Sequence, residues 1–379
     1  MILYLVITAF VTALYAFLCA RFAQVWKSTK AWITPTNYSS SHFVSVLICA
    51  RNEEKNIGSC LRSITRQKYP ESMFEIILLD NHSTDQTVSV ANDLLIPNLR
   101  VIMLSEMFKE EEIFKKEALS HGVHLAKGEW ILVTDADCQV PENWMCSMLS
   151  YADKKDYQMV SGPAKIVENS SLLSRYQQVD FGGLIVSTAA GLTTGWLLSA
   201  NAANMVFSRH AFLSVNGNSH SQAFASGDDI FLLQRLYQTQ PNSVGFLKSK
   251  EAIVLTSAQP SLSEFLNQRK RWASKSAFLP HKLTKLVSTL VLLNACLLAS
   301  HLLLTLLLDM SFLLIFAGHL LAKALSDSLL LREARLFFDL RQNLIQWIYN
   351  LVFNPLYILW TGISVTLTPK FIWKGRMTR

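Results

Sequence analysis

The sequence lacks the commonest phosphate-binding glycine loops. It has no G-x-x-x-x-G-K-[ST] and no G-x-G-x-x-G. These loops bring backbone N–H groups against phosphate, so a P-loop kinase or a Rossmann dehydrogenase is disfavoured. It has no G-x-S-x-G either, which leaves a hydrolase elbow without support. Cysteine is sparse: Cys19, Cys49, Cys60, Cys138, Cys146 and Cys296 form no C-x-x-C, and two of them fall in apolar runs. They read as small buried residues of a reducing compartment, with no metal or disulfide role. The net charge of +7 forms no basic helix or stripe with interleaved aromatics, so nucleic acid is not an expected partner. There is no internal repeat and no low-complexity tract.

Apolar residues make up half of the chain and gather in two places. Ile2–Ala20 is about as long as a bilayer crossing requires. No basic n-region precedes it, and Arg21 stands where small cleavage-site residues belong, so residues 1–21 read as an uncleaved anchor rather than a signal peptide. The second region, 284–368, reads as two to three helices. Leu286–Leu308 and Ser311–Leu331 are two spans with a turn at Asp309. Arg332–Gln342 is a charged segment suited to the interface, and Leu344–Leu367 is a last apolar stretch interrupted at Asn354–Pro355. Arg21, Lys27 and Lys30 follow the first run, and Lys370, Lys374, Arg376 and Arg379 lie in a basic tail over 369–379. Such flanks suit an anionic cytoplasmic surface. The expectation is a protein integral to the cytoplasmic (inner) membrane, in contact with membrane lipid, with its soluble part on the cytoplasmic side. Three full spans after that part would leave the basic tail outside, against the positive-inside tendency. Either Leu344–Leu367 does not cross fully or one span is misread.

Between these regions, residues 42–275 read as α/β. Apolar strands Phe43–Cys49, Glu75–Leu79, Val101–Leu104 and Trp130–Val133 alternate with helices Glu54–Gln67 and Lys116–Ala126, and Ser83 or Thr84 is placed to cap another helix. That alternation implies a mainly parallel sheet, with ligands beyond the carboxyl ends of its strands. Ser261–Trp272 reads as an amphipathic helix opened by a Ser261/Glu264 capping box.

The candidate chemistry sits at those ends. Asp135-Ala136-Asp137 follows a strand, and two carboxylates on one tight turn can hold a hard cation such as Mg²⁺, which shares its oxygen ligands with substrate phosphates. In sugar transfer such a cation offsets the charge that develops on a departing nucleoside diphosphate. A solvated acidic turn is the plainer alternative. Asp228-Asp229 opens a helix, where the dipole favours a carboxylate and an adjacent like charge opposes it; one of the pair can accept a proton, or Asp228 can merely cap. The turn Ala50-Arg51-Asn52-Glu53-Glu54 and Asp80, each after a strand, can recognise base or ribose. In Gln268-Arg269-Lys270-Arg271-Trp272 arginine can pair with diphosphate oxygens and tryptophan can stack on a sugar, or the run can be a juxtamembrane anchor.

Taken in order, these motifs resemble the family 2 inverting nucleotide-sugar glycosyltransferases. The membrane-bound members of that family include cellulose, hyaluronan and poly-glucosamine synthases and ceramide glucosyltransferase. Phe43–Glu54 resembles their opening strand and loop, Asp80–Asp85 their nucleoside-binding turn, and Gly128–Asp137 their metal-motif strand. Gly227–Leu232 resembles a G-E-D motif in which Asp228 replaces the usual Glu, and Gln268, Arg271 and Trp272 fit Q-x-x-R-W. Lys115 resembles the lysine that precedes the metal-motif strand, and Trp373-Lys374-Gly375-Arg376 also matches. The resemblance covers about Phe43 to Trp272. It implies a GT-A-type fold flanked by N- and C-terminal transmembrane helices, a UDP-sugar donor and Mg²⁺ or Mn²⁺ on Asp137 and Asp135. It further implies Ala50, Arg51, Glu53, Asp80, Lys115, Asp135 and Asp137 around the donor, and Gln268, Arg269, Arg271 and Trp272 around the acceptor or diphosphate. The catalytic base would be Asp229, with Asp228 beside it. The acceptor would be lipid-linked or a saccharide, with single transfer favoured over processive synthesis because the spans are few for a polymer channel. A transporter or scaffold is the rival from another class: Lys323 and Asp327 are ionisable residues in an apolar segment, and they can also simply pair.

Overall fold

The computed structural model describes residues 2–38, 41–110, 114–169, 171–216, 228–275, 278–368, 371–373 and 376–378. In chain order the elements are α1 (Ile2–Ser28), β1 (Val44–Ala50), α2 (Ile57–Thr65), β2 (Phe74–Asp80), α3 (Thr87–Asn92), β3 (Leu99–Met103), α4 (Lys115–Leu125), β4 (Trp130–Asp135), α5 (Trp144–Lys155), β5 (Met159–Ser161), β6 (Ala164–Ile166), α6 (Leu172–Thr194), β7 (Met205–Ser208), α7 (Arg209–Asn216), α8 (Asp228–Thr239), β8 (Val244–Phe246), β9 (Val254–Thr256), α9 (Leu262–Ala273), α10 (Lys282–Leu307), α11 (Ser311–Phe338) and α12 (Leu344–Leu367). Two compact units interleave along the chain. One comprises Met1–Thr29, Glu168–Leu197 and Ala258–Phe371; the other comprises Lys30–Val167, Leu198–Ser257 and Ile372–Arg379. Residues 168–197 and 258–275, inside the 42–275 stretch of the sequence reading, therefore group with the long apolar helices.

The second unit is built on a seven-stranded sheet of order β3-β2-β1-β4-β7-β5-β8. β3, β2, β1 and β4 run parallel, β7 runs antiparallel to β4 and β5, and β8 is parallel to β5. β2 is buried along its whole length and β1 nearly so, which is why both read as unbroken apolar runs: a parallel strand covered on both faces has no polar side to alternate with. The register pairs Ala50 with Asp80 and Cys49 with Asp135, so the polar residues that end three adjacent strands share one edge. Neighbouring strands lie about 4.8 Å apart.

The opposite edge is structural. The buried Glu75 accepts from Ser45 Oγ at 2.7 Å, Lys127 N at 2.7 Å and Arg100 Nη1 at 3.2 Å, and Ser45 Oγ accepts from Gly128 N at 2.9 Å. A Cβ on Gly128 would stand 2.4 Å from the backbone nitrogen of Ser45. Gly128→Ala must therefore push β1 away and is expected to cost roughly 1–3 kcal/mol. The check is a fall of several degrees in the melting temperature of the purified protein.

The helix after β2 differs from its expected start. α3 begins at Thr87 without a side-chain N-cap. Ser83 Oγ instead accepts from Asn52 N at 2.9 Å, because the β1–α2 loop bends through a positive φ at Asn52 (52°) and presents its N–H groups to the β2–α3 loop.

In the first unit α1, α10, α11 and α12 are long and apolar enough to cross a membrane, by length and composition. α1 continues past Ala20 to Ser28. α11 continues past Leu331 to Phe338, so most of the charged 332–342 segment is the end of that helix. The turn at Asp309 is present, its Oδ1 accepting from Ser311 N at 2.7 Å. α12 is one helix with Pro355 inside it, not two pieces broken at Asn354–Pro355. Proline removes one N–H and crowds one earlier carbonyl, and the flanking apolar turns carry the helix through. α6 packs on α11 through small residues: a Cβ on Gly183 would meet Leu331 at 2.9 Å and one on Gly182 would meet Ala334 at 3.2 Å.

Candidate active site

The shared edge of β2, β1 and β4 gathers the residues singled out in the sequence of the α/β unit. Two loops interlock there. Asn52 Oδ1 accepts from Thr84 N at 2.8 Å, Glu53 N donates to Thr87 Oγ1 at 2.8 Å, and Glu54 N donates to Asp85 Oδ2 at 3.1 Å. Burial of Asp85 works against its charge, but the donors Thr87 Oγ1, Glu54 N and Thr87 N outweigh it and hold the carboxyl below its usual range. Arg51, 9% exposed, donates to Asn81 O at 3.1 Å and to Glu110 Oε1 at 2.6 Å. The buried Glu53 accepts from Asn56 Nδ2 at 2.8 Å.

Asp80 is 2% exposed. Its Oδ2 accepts from Ser83 N at 3.2 Å, but its Oδ1 is buried with no hydrogen-bond partner. The contrast with Glu75 is the informative point, since both oxygens of that carboxylate are satisfied. A buried acceptor left without a donor costs about 1–3 kcal/mol, more when charged, and an N–H or O–H of a bound molecule would supply it.

At the end of β4, Asp135 forms an ion pair with Lys115, the first residue of α4. Asp135, Asp137 and Cys138 place their ligand atoms within 4.8 Å of one another. The two carboxylates fit a hard divalent cation, which takes oxygen ligands. Cys138 suits it less. Burial, together with Asp137 and Asp135, pushes its thiol well above the usual value, so at neutral pH it is a protonated donor, 3.6 Å from Asp137 Oδ1. Cys60 is raised by the same causes and donates to Asp135 O at 3.6 Å. That Cys60 backs the acidic turn was not visible in the chain's order, because 75 residues separate it from Asp135, whereas Cys138 directly follows Asp137.

Asp229, at the start of α8, belongs to the same unit. Its Oδ2 accepts from Ala202 N at 3.2 Å and its Oδ1 from Ile230 N at 2.8 Å. Ala203 O in turn accepts from Thr134 Oγ1 of β4 at 2.9 Å. The loop ahead of β7 therefore ties Asp229 to the strand that ends in Asp135, a link that no sequence motif showed. Gly227 and the side chain of Asp228 lie outside the described residues, as do Lys374 and Gly375 of the tail.

Gln268–Trp272 lies on α9 of the other unit, opened by the expected Ser261/Glu264 capping box. Arg269, expected at a diphosphate, is 4% exposed. Its Nη2 donates to Asp180 Oδ2 at 2.7 Å, and its guanidinium lies 4.4 Å from the Trp272 ring centroid.

Among known proteins, the chain resembles Glycosyltransferase AglE of Haloferax volcanii at 31% identity over 109 residues, covering 28% of this chain and 34% of that one. It resembles the beta-monoglucosyldiacylglycerol synthase of a Nostoc species at 32% over 105 residues, 27% of this chain and 22% of that one. These matches span about a third or less of each relative's length. Among solved structures, the mannosyltransferase PcManGT from Pyrobaculum calidifontis, in complex with GDP-Man and Mn²⁺, superposes with a TM-score of 0.63 at 18% identity, covering 95% of this chain and 97% of that one. The shared feature is the fold, a GT-A-like α/β domain with a mainly parallel sheet. The Glycosyl transferase family 2 pattern matches residues 45–211. A second pattern, Glycosyl transferase family group 2, matches residues 130–373, more than half of the chain, and the protein belongs to that family.

Proposed function

We propose that this protein transfers a sugar from a nucleotide-sugar donor to a lipid-linked or saccharide acceptor at a membrane face, with inversion at the anomeric carbon. One observation carries the reading. At one sheet edge the structure gathers a buried carboxylate with an unanswered acceptor, a carboxylate pair suited to a divalent cation, a lysine beside it and a further carboxylate tied to the same strand. Asp80 would take an N–H or O–H of the nucleoside, with Ala50, Arg51 and Glu53 framing that loop. Asp135 and Asp137 would hold Mg²⁺ or Mn²⁺, which when bound neutralises charge on the leaving diphosphate. Lys115 holds Asp135 in place and adds positive charge for the same phosphates.

In the transfer, the acceptor oxygen bonds to the anomeric carbon as the bond from that carbon to the diphosphate oxygen breaks. The hydroxyl proton passes to Asp229, and the nucleoside diphosphate leaves with the bonding pair. Asp228 would contact or orient the acceptor. Gln268, Arg271 and Trp272 are proposed to meet the acceptor or diphosphate. A UDP-sugar is the expected donor, and GDP-mannose enters the screen because the similarly folded mannosyltransferase was solved with it. Release of nucleoside diphosphate by purified protein, measured for each donor with membrane extract as acceptor, tests the reading; no release with any donor would overturn it. Asp80→Asn is expected to weaken nucleotide binding roughly tenfold to a hundredfold, the value of one hydrogen bond to a charged group, in direct titration with the nucleoside diphosphate.

The placement proposed is the cytoplasmic side of the inner membrane. The tension over the basic tail resolves if α12 lies along the membrane rather than across it. Lys270 Nζ of α9 donates to Thr368 Oγ1 at the end of α12 at 3.0 Å, which holds that end beside α9. With α10 and α11 as the only crossings after the α/β unit, its basic tail stays on the positive-inside face.

A further inference from the structure

The first unit contains a chain of buried and part-buried polar side chains that the proposed reaction does not use. Its centre is Asp180, in the middle of α6 and 8% exposed. One oxygen accepts from Arg269 Nη2 of α9 at 2.7 Å. The other accepts from Tyr357 of α12 at 3.0 Å, Tyr176 at 3.3 Å and Asn354 Nδ2 at 3.4 Å. Asn354 Oδ1 accepts from Lys323 Nζ of α11 at 2.8 Å. Lys323, 2% exposed, is paired with Asp327, which also accepts from Tyr15 of α1 at 2.5 Å. Five helices are thus joined by two ion pairs bridged by one amide.

One buried charge pair and one with a part-exposed carboxylate are weak evidence for stability, because removing ions from water costs about as much as their attraction returns. Their directionality is another matter. A guanidinium whose partner is fixed can sit in one orientation only, and Arg269 is held besides between Phe265 at 4.7 Å and Trp272 at 4.4 Å. Its Nε and Nη1 are buried without hydrogen-bond partners, so Asp180 and the aromatic faces are what fix it. Trp272 in turn lies 6.1 Å, centroid to centroid, from Phe181, the neighbour of Asp180.

We infer that Asp180 is a positioning residue: through Arg269 it sets the orientation of α9 and of the Trp272 ring, and Lys323 with Asp327 anchors that assembly to the apolar helices. Arg269 is then a part of the frame and not a diphosphate ligand. The functional half of this inference rests on the transferase reading above, in which Trp272 serves the acceptor or diphosphate.

The test uses the full chain in nanodiscs, with hydrogen exchange of residues 262–273 as a readout independent of turnover. Asp180→Asn keeps the shape and removes the charge. Exchange in α9 is expected to accelerate at least about tenfold, since one partner of a buried pair is left unmatched. The rate constant kcat should fall by at least about tenfold, with donor KM within roughly twofold of wild type. Arg269→Lys keeps the charge but loses the planar fork and the stack. It is expected to show the same two effects more weakly, and it stands in should Asp180→Asn fail to fold. Unchanged exchange in both variants overturns the anchoring. Faster exchange with wild-type kcat overturns the positioning role, as does a fall in kcat that merely tracks the folded fraction. If wild-type protein turned over no donor at all, the transferase reading would fall, and exchange alone would still decide whether Asp180 holds α9.

Discussion

Asp137→Ala is expected to bring donor turnover to background, a loss on the order of 10³-fold, and to abolish Mn²⁺ binding in the presence of nucleoside diphosphate. The magnitude follows from the several kcal/mol by which a divalent cation stabilises developing charge on a leaving diphosphate. Asp137 carries more of this expectation than Asp135, because Asp135 already pairs with Lys115 while Asp137 stands two residues beyond the last residue of the strand, next to the thiol of Cys138. Both carboxylates are partly exposed, so the variant should melt within a few degrees of wild type. Mn²⁺ titration followed by electron paramagnetic resonance separates loss of metal from loss of fold. Wild-type turnover that survived excess chelator would remove the metal from the mechanism.

Asp229→Asn should lower kcat by about 10²–10⁴-fold, the usual contribution of a positioned general base. Asparagine keeps the size of the side chain and one oxygen acceptor, so the contact with Ala202 N can persist while the one from Ile230 N is lost. Nucleotide and metal affinity should therefore stay near wild type. That split, kcat lost with donor binding retained, marks an interaction made in the transition state. If Asp229→Asn kept its turnover while Asp228→Asn lost it, the base would be the other carboxylate. Product of retained anomeric configuration would exclude a single displacement.

The parts of the site closest to the chain's own order were legible without coordinates. β1, β2 and β4 announced themselves as apolar runs because both faces of a parallel strand are covered, and a polar residue at the end of such a run has to lie at the carboxyl edge. Asp80, Arg51, Asp135 and Asp137 could be placed that way. The capping box of α9 was equally visible, because its two partners are three residues apart. α6 left no such trace. Its buried residues go almost all the way round, so no apolar stripe marks a face, and glycine and alanine on it look unremarkable until the side chains of α11 are set against them.

The sequence by itself determined the strand–helix alternation, the edge at which the carboxylates collect, the N-terminal apolar helix and the two apolar spans on either side of Asp309, because each depends on residues near one another along the chain. Only the tertiary structure decided which charges meet. It left Asp80 with an unanswered oxygen while satisfying Glu75, tied Asp229 to the end of β4 through Ala202 and Ala203, and paired Arg269 with Asp180. It also joined Lys323 to Asp327 and Asn354, so that two ionisable residues in an apolar stretch became one end of a frame. A carboxylate's role depends on which donors reach it and how much water remains. Those donors come from backbone and side chains far away in sequence, brought there by the burial of the apolar surface between them.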